Sequence, residues 1–141
     1  MSVSYVEELV VSVLSTDSDL TQLVDPSNIK PPGNWQNLHR RFADINKPSY
    51  IIHFPVARQP LHTHDGLAVL NRWPFYQVSC ISPTYRIARQ VADAVVACLD
   101  GVHEDATFFL RDQRVVHDDE RELVQIALDF AVAEAVGEED R

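Results

Sequence analysis

Glycine is scarce, at four residues in 141. No Gly-rich phosphate-binding loop can be drawn from so few, and no GxSxG nucleophile elbow occurs. Cysteine is scarcer still. Cys80 and Cys98 both lie in apolar runs, and no CxxC exists, so neither a disulfide framework nor a paired-cysteine metal site is indicated. Cysteines in such runs act as small hydrophobes with inert thiols, which fits synthesis in a reducing compartment. Positive charge is also thin: 12 Lys and Arg against 21 Asp and Glu give a net charge of −9. The densest basic spot is Arg40–Arg41 beside His39. That balance repels phosphate backbones and argues against tight nucleic-acid binding, although an acidic wall lets DNA slide past. No apolar run approaches the ~18 residues of a membrane span. Met1–Val13 carries Glu7 and Glu8 and no basic residue, unlike a signal peptide.

What is present is ordinary globular composition, 45% apolar and 23% charged, enough for one domain over residues 1–141 to bury a core unaided. N-terminal helices are expected over 4–24. Ser4 and Glu7 form a capping-box pattern ahead of Val6, Leu9, Val10, Val13 and Leu14. Asp17 or Ser18 can cap a second short helix carrying Leu20, Leu23 and Val24, which Asp25–Pro26 stops. Residues 25–48, with Pro26, Pro31, Pro32, Gly33 and Pro48, read as a long loop anchored by Trp35, Leu38 and Phe42. Strands are expected near 49–56, 73–81, 105–117 and 123–135, the third interrupted near Asp112–Gln113, and the last alternating most cleanly. Ser82-Pro83-Thr84 starts a helix over 84–99, in which Ile87, Val91, Val95 and Leu99 stack; Asp100–Gly101 ends it. An acidic turn, 118–122, precedes the last strand, and residues 136–141 form an acidic tail. The expected fold class is α+β: a mostly antiparallel sheet of about four strands, packed by an N-terminal helix and one long amphipathic helix.

Chemistry is hard to find. His62-Thr63-His64-Asp65 places two imidazoles at i, i+2 on an extended segment, both able to reach one Zn²⁺. A zinc site needs three or four protein ligands, and no spacing rule recruits His53, His103 or His117. A polar loop with ordinary histidines is the simpler reading, so no catalytic residue, metal site or cofactor is assigned. Arg86 and Arg89 lie on the polar side of the long helix, two turns and one turn from Asp93. A solvated face is the plain interpretation, and a subunit contact the alternative. The candidate interface residues are Trp35, Arg40 and Arg41 in the first loop; Arg58, Gln59, His62, His64 and Asp65 in the polar connection 57–72; and Arg86 and Arg89 on the helix.

Taken in order, VEELVVSVL, DLTQLV, PSYIIHF, FYQVSCISPTYRIARQVADAVVACLDG, the acidic turn and LVQIALDFAVAEA resemble the tail-completion, or tail-terminator, family of long-tailed phages and prophages. The strand, S-P-T-Y turn, helix ending in L-D-G and closing strand are the most telling part. The chain departs from the family in the longer stretch between Asn28 and Pro48. The resemblance implies a virion protein made in the host cytoplasm, with no enzymatic activity. It implies a homo-oligomer, a hexameric ring, at the head-proximal end of the tail. Its partners would be the tail tube protein and the connector or stopper of the head, with genome DNA passing through unread and no membrane involved. Two alternatives carry different functions: another neck component (a stopper or adaptor), and a small metal-dependent hydrolase using His62 and His64.

Overall fold

Strand β6, Leu123–Glu134, organises the molecule. Its residues Val124, Ile126, Leu128, Phe130 and Val132 alternate onto one face and are all buried. In the computed structural model, which describes residues 3–30, 49–56, 75–103, 106–120 and 122–134, β6 lies inside a six-stranded sheet. The other strands are β1 (Ile29–Lys30), β2 (Tyr50–Val56), β3 (Phe75–Ser82), β4 (Gly101–His103) and β5 (Ala106–Asp118), in spatial order β1-β2-β3-β6-β5-β4. The last strand in sequence therefore inserts between β3 and β5. It pairs antiparallel with both, Cys80 facing Ile126 on one side and Val115 facing Ile126 on the other.

This architecture corrects the expected fold class. A mostly antiparallel sheet of about four strands gives way to six strands in a mixed sheet, because β1 runs parallel to β2. The two additional strands are two and three residues long. Elements that short show no period-2 pattern, and both sit against turn residues: Pro26–Asn28 forms a 3₁₀ turn before β1, and Gly101 has a positive φ of 123° as the chain leaves a helix.

Among the described residues, three helices accompany the sheet: α1 (Val3–Thr16), α2 (Ser18–Thr21) and α3 (Tyr85–Leu99). Helix α1 already includes Ser4. Asp17 caps α2, its carboxylate accepting from Leu20 N at 2.9 Å. Thr84 caps α3 by accepting from Ile87 N at 3.2 Å. Thr84→Ala is expected to lower stability by about 1 kcal/mol, read as a shifted denaturation midpoint with an unchanged urea slope. Ala88, Val91, Ala92, Val95 and Leu99 are the buried stripe of α3, which lies across β3 and β6 with α1 beside it. The two alanines let the helix seat closely on the sheet. The main core combines this stripe with Val6, Val10 and Leu14 of α1 and with Tyr76, Val78, Cys80, Phe108, Ile126, Leu128 and Phe130 of the sheet. A second, smaller cluster of Tyr50, Ile52, Ile81 and Leu123 has Phe54 packed against it. In β2 and β3 these residues alternate with main-core residues, so both faces of those strands are buried.

Candidate interface

The most exposed part of the sheet is the outer half of β5. Strand β4 covers only Ala106–Phe108. The next outward-facing amide, Leu110 N, donates to the Asp100 carboxylate at 2.9 Å. Beyond it, Arg111 to His117 are all exposed, and Val115 and Val116 keep 42% and 50% of their surface open to solvent. A bulge between Leu110 and Asp112 precedes this stretch. Before the bulge, Phe108 and Leu110 sit opposite Val132 and Phe130. After it, Gln113, Val115 and His117 sit opposite Leu128, Ile126 and Val124, while Asp112, Arg114, Val116 and Asp118 share the other face.

Two polar clusters hold this region. Arg89 of α3 reaches across to β5, its guanidinium donating to Gln113 Oε1 at 2.7 Å. Its Nε lies 3.2 Å from Asp93 Oδ1, an ion pair one helical turn away that lacks hydrogen-bond alignment. On the opposite sheet face, the Arg114 guanidinium donates to Asp129 at 3.1 and 3.4 Å and to Gln77 Oε1 at 3.4 Å. Arg114 and Asp129 help line an open depression of about 220 Å³ with Val56, Phe75, Gln77, Arg111 and Asp112. Exposed pairs of this kind contribute about 0–1 kcal/mol each, so their weight is positional rather than energetic.

Of the candidate interface residues, Arg86 is exposed on α3 and Arg89 is tied to Gln113 and Asp93. Trp35, Arg40, Arg41, Arg58, Gln59, His62, His64 and Asp65 lie outside the described residues. Sequence reasoning missed Gln113, Arg114 and Asp129. Their pairing depends on strand order and on the bulge, which no local periodicity encodes.

The remaining histidines considered as ligands lie on three different strands. His103 Nε2 is 2.8 Å from Leu99 O, and its ring meets Phe108 edge-on. His117 is exposed on β5. His53 on β2 is 1% exposed, with Nδ1 2.8 Å from the Tyr76 hydroxyl. Burial pulls the His53 pKa down from 6.5 to about 4 and pushes the Tyr76 phenol up. His53 Nε2 has no hydrogen-bond partner, and the residue floors an open groove of about 310 Å³ beside Glu7, Glu8, Val11 and Ser12 of α1. Among the described residues, no group of three or more His, Cys, Asp or Glu is placed to hold a metal ion. Burial also raises both thiols, Cys98 to about 12.

No protein-family profile and no curated protein sequence matches the chain. A solved structure does. A chain from the "Virion of native gene transfer agent (GTA) particle" superposes with a TM-score of 0.63 at 17% identity, over 95% of this chain and 98% of that one. The fold is therefore shared along nearly the full length of both chains.

Proposed function

We propose that this protein is a structural component of a phage-like virion. In our reading it forms a ring at the head-proximal end of the tail, ends the tail tube there and joins tail to head. The observation that carries the reading is the end-to-end likeness to a chain of a gene transfer agent virion, a protein of matching length whose sequence has diverged. The order of elements that resembles tail-completion proteins points the same way, and so does the acidic balance of −9, which suits a conduit through which DNA moves without adhering. The protein acts in this reading by shape and self-contact rather than by catalysis. The polar connection 57–72 is the proposed contact to an axial neighbour, with Trp35, Arg40, Arg41, Arg86 and Arg89 as further contact residues.

Negative-stain imaging of the purified chain, alone and with tail-tube protein, tests this. Annuli that cap tube ends are the expected result, and a genome lacking the gene should yield tails of uncontrolled length that fail to join heads. Tubes left uncapped, or a particle reconstruction placing the chain away from the head–tail junction, would rule the reading out. Deleting Leu61–Leu67 should impair head joining, and normal joining would remove the axial-contact assignment.

A further inference from the structure

The open edge of β5 has a charge pattern that fits itself. At its start stand Arg111 and Arg114 with one carboxylate, Asp112, between them, and Arg89 of α3 is bonded to Gln113. At its end come Asp118, Asp119, Glu120 and Glu122 of the acidic turn. Between them lie the exposed apolar residues Val115 and Val116. We propose that residues 113–119 of β5 pair antiparallel with the same residues of a second copy, forming a two-fold dimer through a continuous sheet.

The register follows from three constraints. A two-fold axis that extends a sheet stands perpendicular to it, and facing residues must point to the same side, so the axis passes through a residue and not between two. An axis through Gln113 would pull the bulge at Leu110–Asp112 into the pairing. Through Arg114 it would set Arg111 against His117, and through Val115 it would set Asp112 against Asp118, an opposition of like charges. Through Val116 it places Val116 on its own copy, Val115 against His117, and Arg114 against Asp118 at both ends; Asp112 then falls level only with Glu120, which lies past the end of the strand in the turn. Arg114, Val116 and Asp118 lie on one sheet face, as this pairing needs. The acidic turn of each copy then flanks the arginines of the other.

The backbone agrees. Leu110 N points outward, to Asp100, and Leu110 faces Phe130. Along β6 the direction alternates, so Leu128, Ile126 and Val124 also turn their amide groups away from β5. Their partners Gln113, Val115 and His117 therefore turn theirs outward. Val115 and His117, which face each other in the proposed pair, are both ready to bond. An isologous pair is not a contact within a cyclic ring, so this pairing joins copies outside the proposed ring and is tested apart from it.

Cross-linking tests the register directly. Residues facing each other on a two-fold axis at a non-hydrogen-bonded position lie about 4.5 Å apart between Cα atoms, within disulfide reach. The full-length Val116→Cys variant is expected to form a covalent dimer on mild oxidation, while Gln113→Cys is not. Cys80 is buried and Cys98 half-buried, so both variants are made in a Cys98→Ser background. Val115→Pro removes an outward amide without touching the ladder to β6. In sedimentation velocity it should raise the dimer dissociation constant at least about tenfold, with the circular dichroism spectrum unchanged. Added salt should also weaken the dimer. A wild-type chain that stays monomeric at every concentration overturns the proposal. So does cross-linking at Gln113→Cys but not Val116→Cys, or self-association that Val115→Pro leaves intact. Capture of a strand from a different virion protein by a monomeric chain would assign the edge to that partner instead.

Discussion

Lowering the pH through the range between about 6.5 and 4 is expected to destabilise the protein by as much as roughly 3 kcal/mol through one residue, His53. Its ring is buried, and the fold holds it neutral down to about pH 4, while the unfolded chain takes up the proton near 6.5. Between those values the unfolded state binds more protons, so stability rises with pH. The contribution is fully present above about 6.5, falls as the solution is acidified, and levels off below about 4. The Tyr76 hydroxyl, 2.8 Å from Nδ1 and stacked with the imidazole at 5.9 Å, offers no countercharge. Urea denaturation at a series of pH values checks this against His53→Gln, which keeps a polar group near Tyr76 but does not titrate. The wild-type curve should fall away from the variant's as the pH drops. Parallel curves would mean that the imidazole gains water or a counterion on protonation.

Truncating Phe130 to alanine is expected to cost about 3–5 kcal/mol, a large share of a small domain's stability. The side chain is fully buried on the strand that pairs with both β3 and β5. It faces Tyr76 on one side and Leu110 on the other, and its ring meets Phe108 edge-on at 6.3 Å and 79°. No neighbouring strand can collapse into the void without breaking a ladder, so the cavity persists. The equivalent cut at Phe109, 48% exposed one residue from Phe108, should cost far less. Thermal or urea unfolding of the two variants separates a packing effect from a loss of β propensity, which both share.

The sequence was most readable where a strand buries one face and a helix buries one stripe. Strand β6 alternates Val124, Ile126, Leu128 and Phe130 with smaller or polar residues, and the inner face is the apolar one. Thr84 and Asp17, with side chains suited to capping, sit at the starts of α3 and α2. Strand β2 was harder. Tyr50, Ile52 and Phe54 form a convincing apolar row, yet Ile51 and His53 between them face the larger core side. Alternation cannot rank two faces when both are apolar. Strands β1 and β4 were invisible because two or three residues carry no period, and with them went the mixed character of the sheet. The open edge was hidden for another reason. That β5 is a strand is local information, but that no strand among the described residues pairs with its outer half depends on how short β4 is. Most of the residues chosen as interface candidates fall outside the described residues, while the chemistry that the fold does assemble, around Arg114 and Gln113, needed the strand order to be found.

The bulge at Leu110–Asp112 works like a frame change in a coded message. Up to it, even-numbered residues point toward the helices; past it, odd-numbered ones do. Pairing Arg111 into a regular ladder would carry the old phase onward and turn Arg114 toward the layer that holds Leu128 and Ile126, while Val115 swung to the far side; deleting Arg111 would instead close the bulge and leave both facings as they are. Whether that one position joins the ladder thus decides which side chains of β5 speak to the protein's own interior and which are addressed to its surroundings.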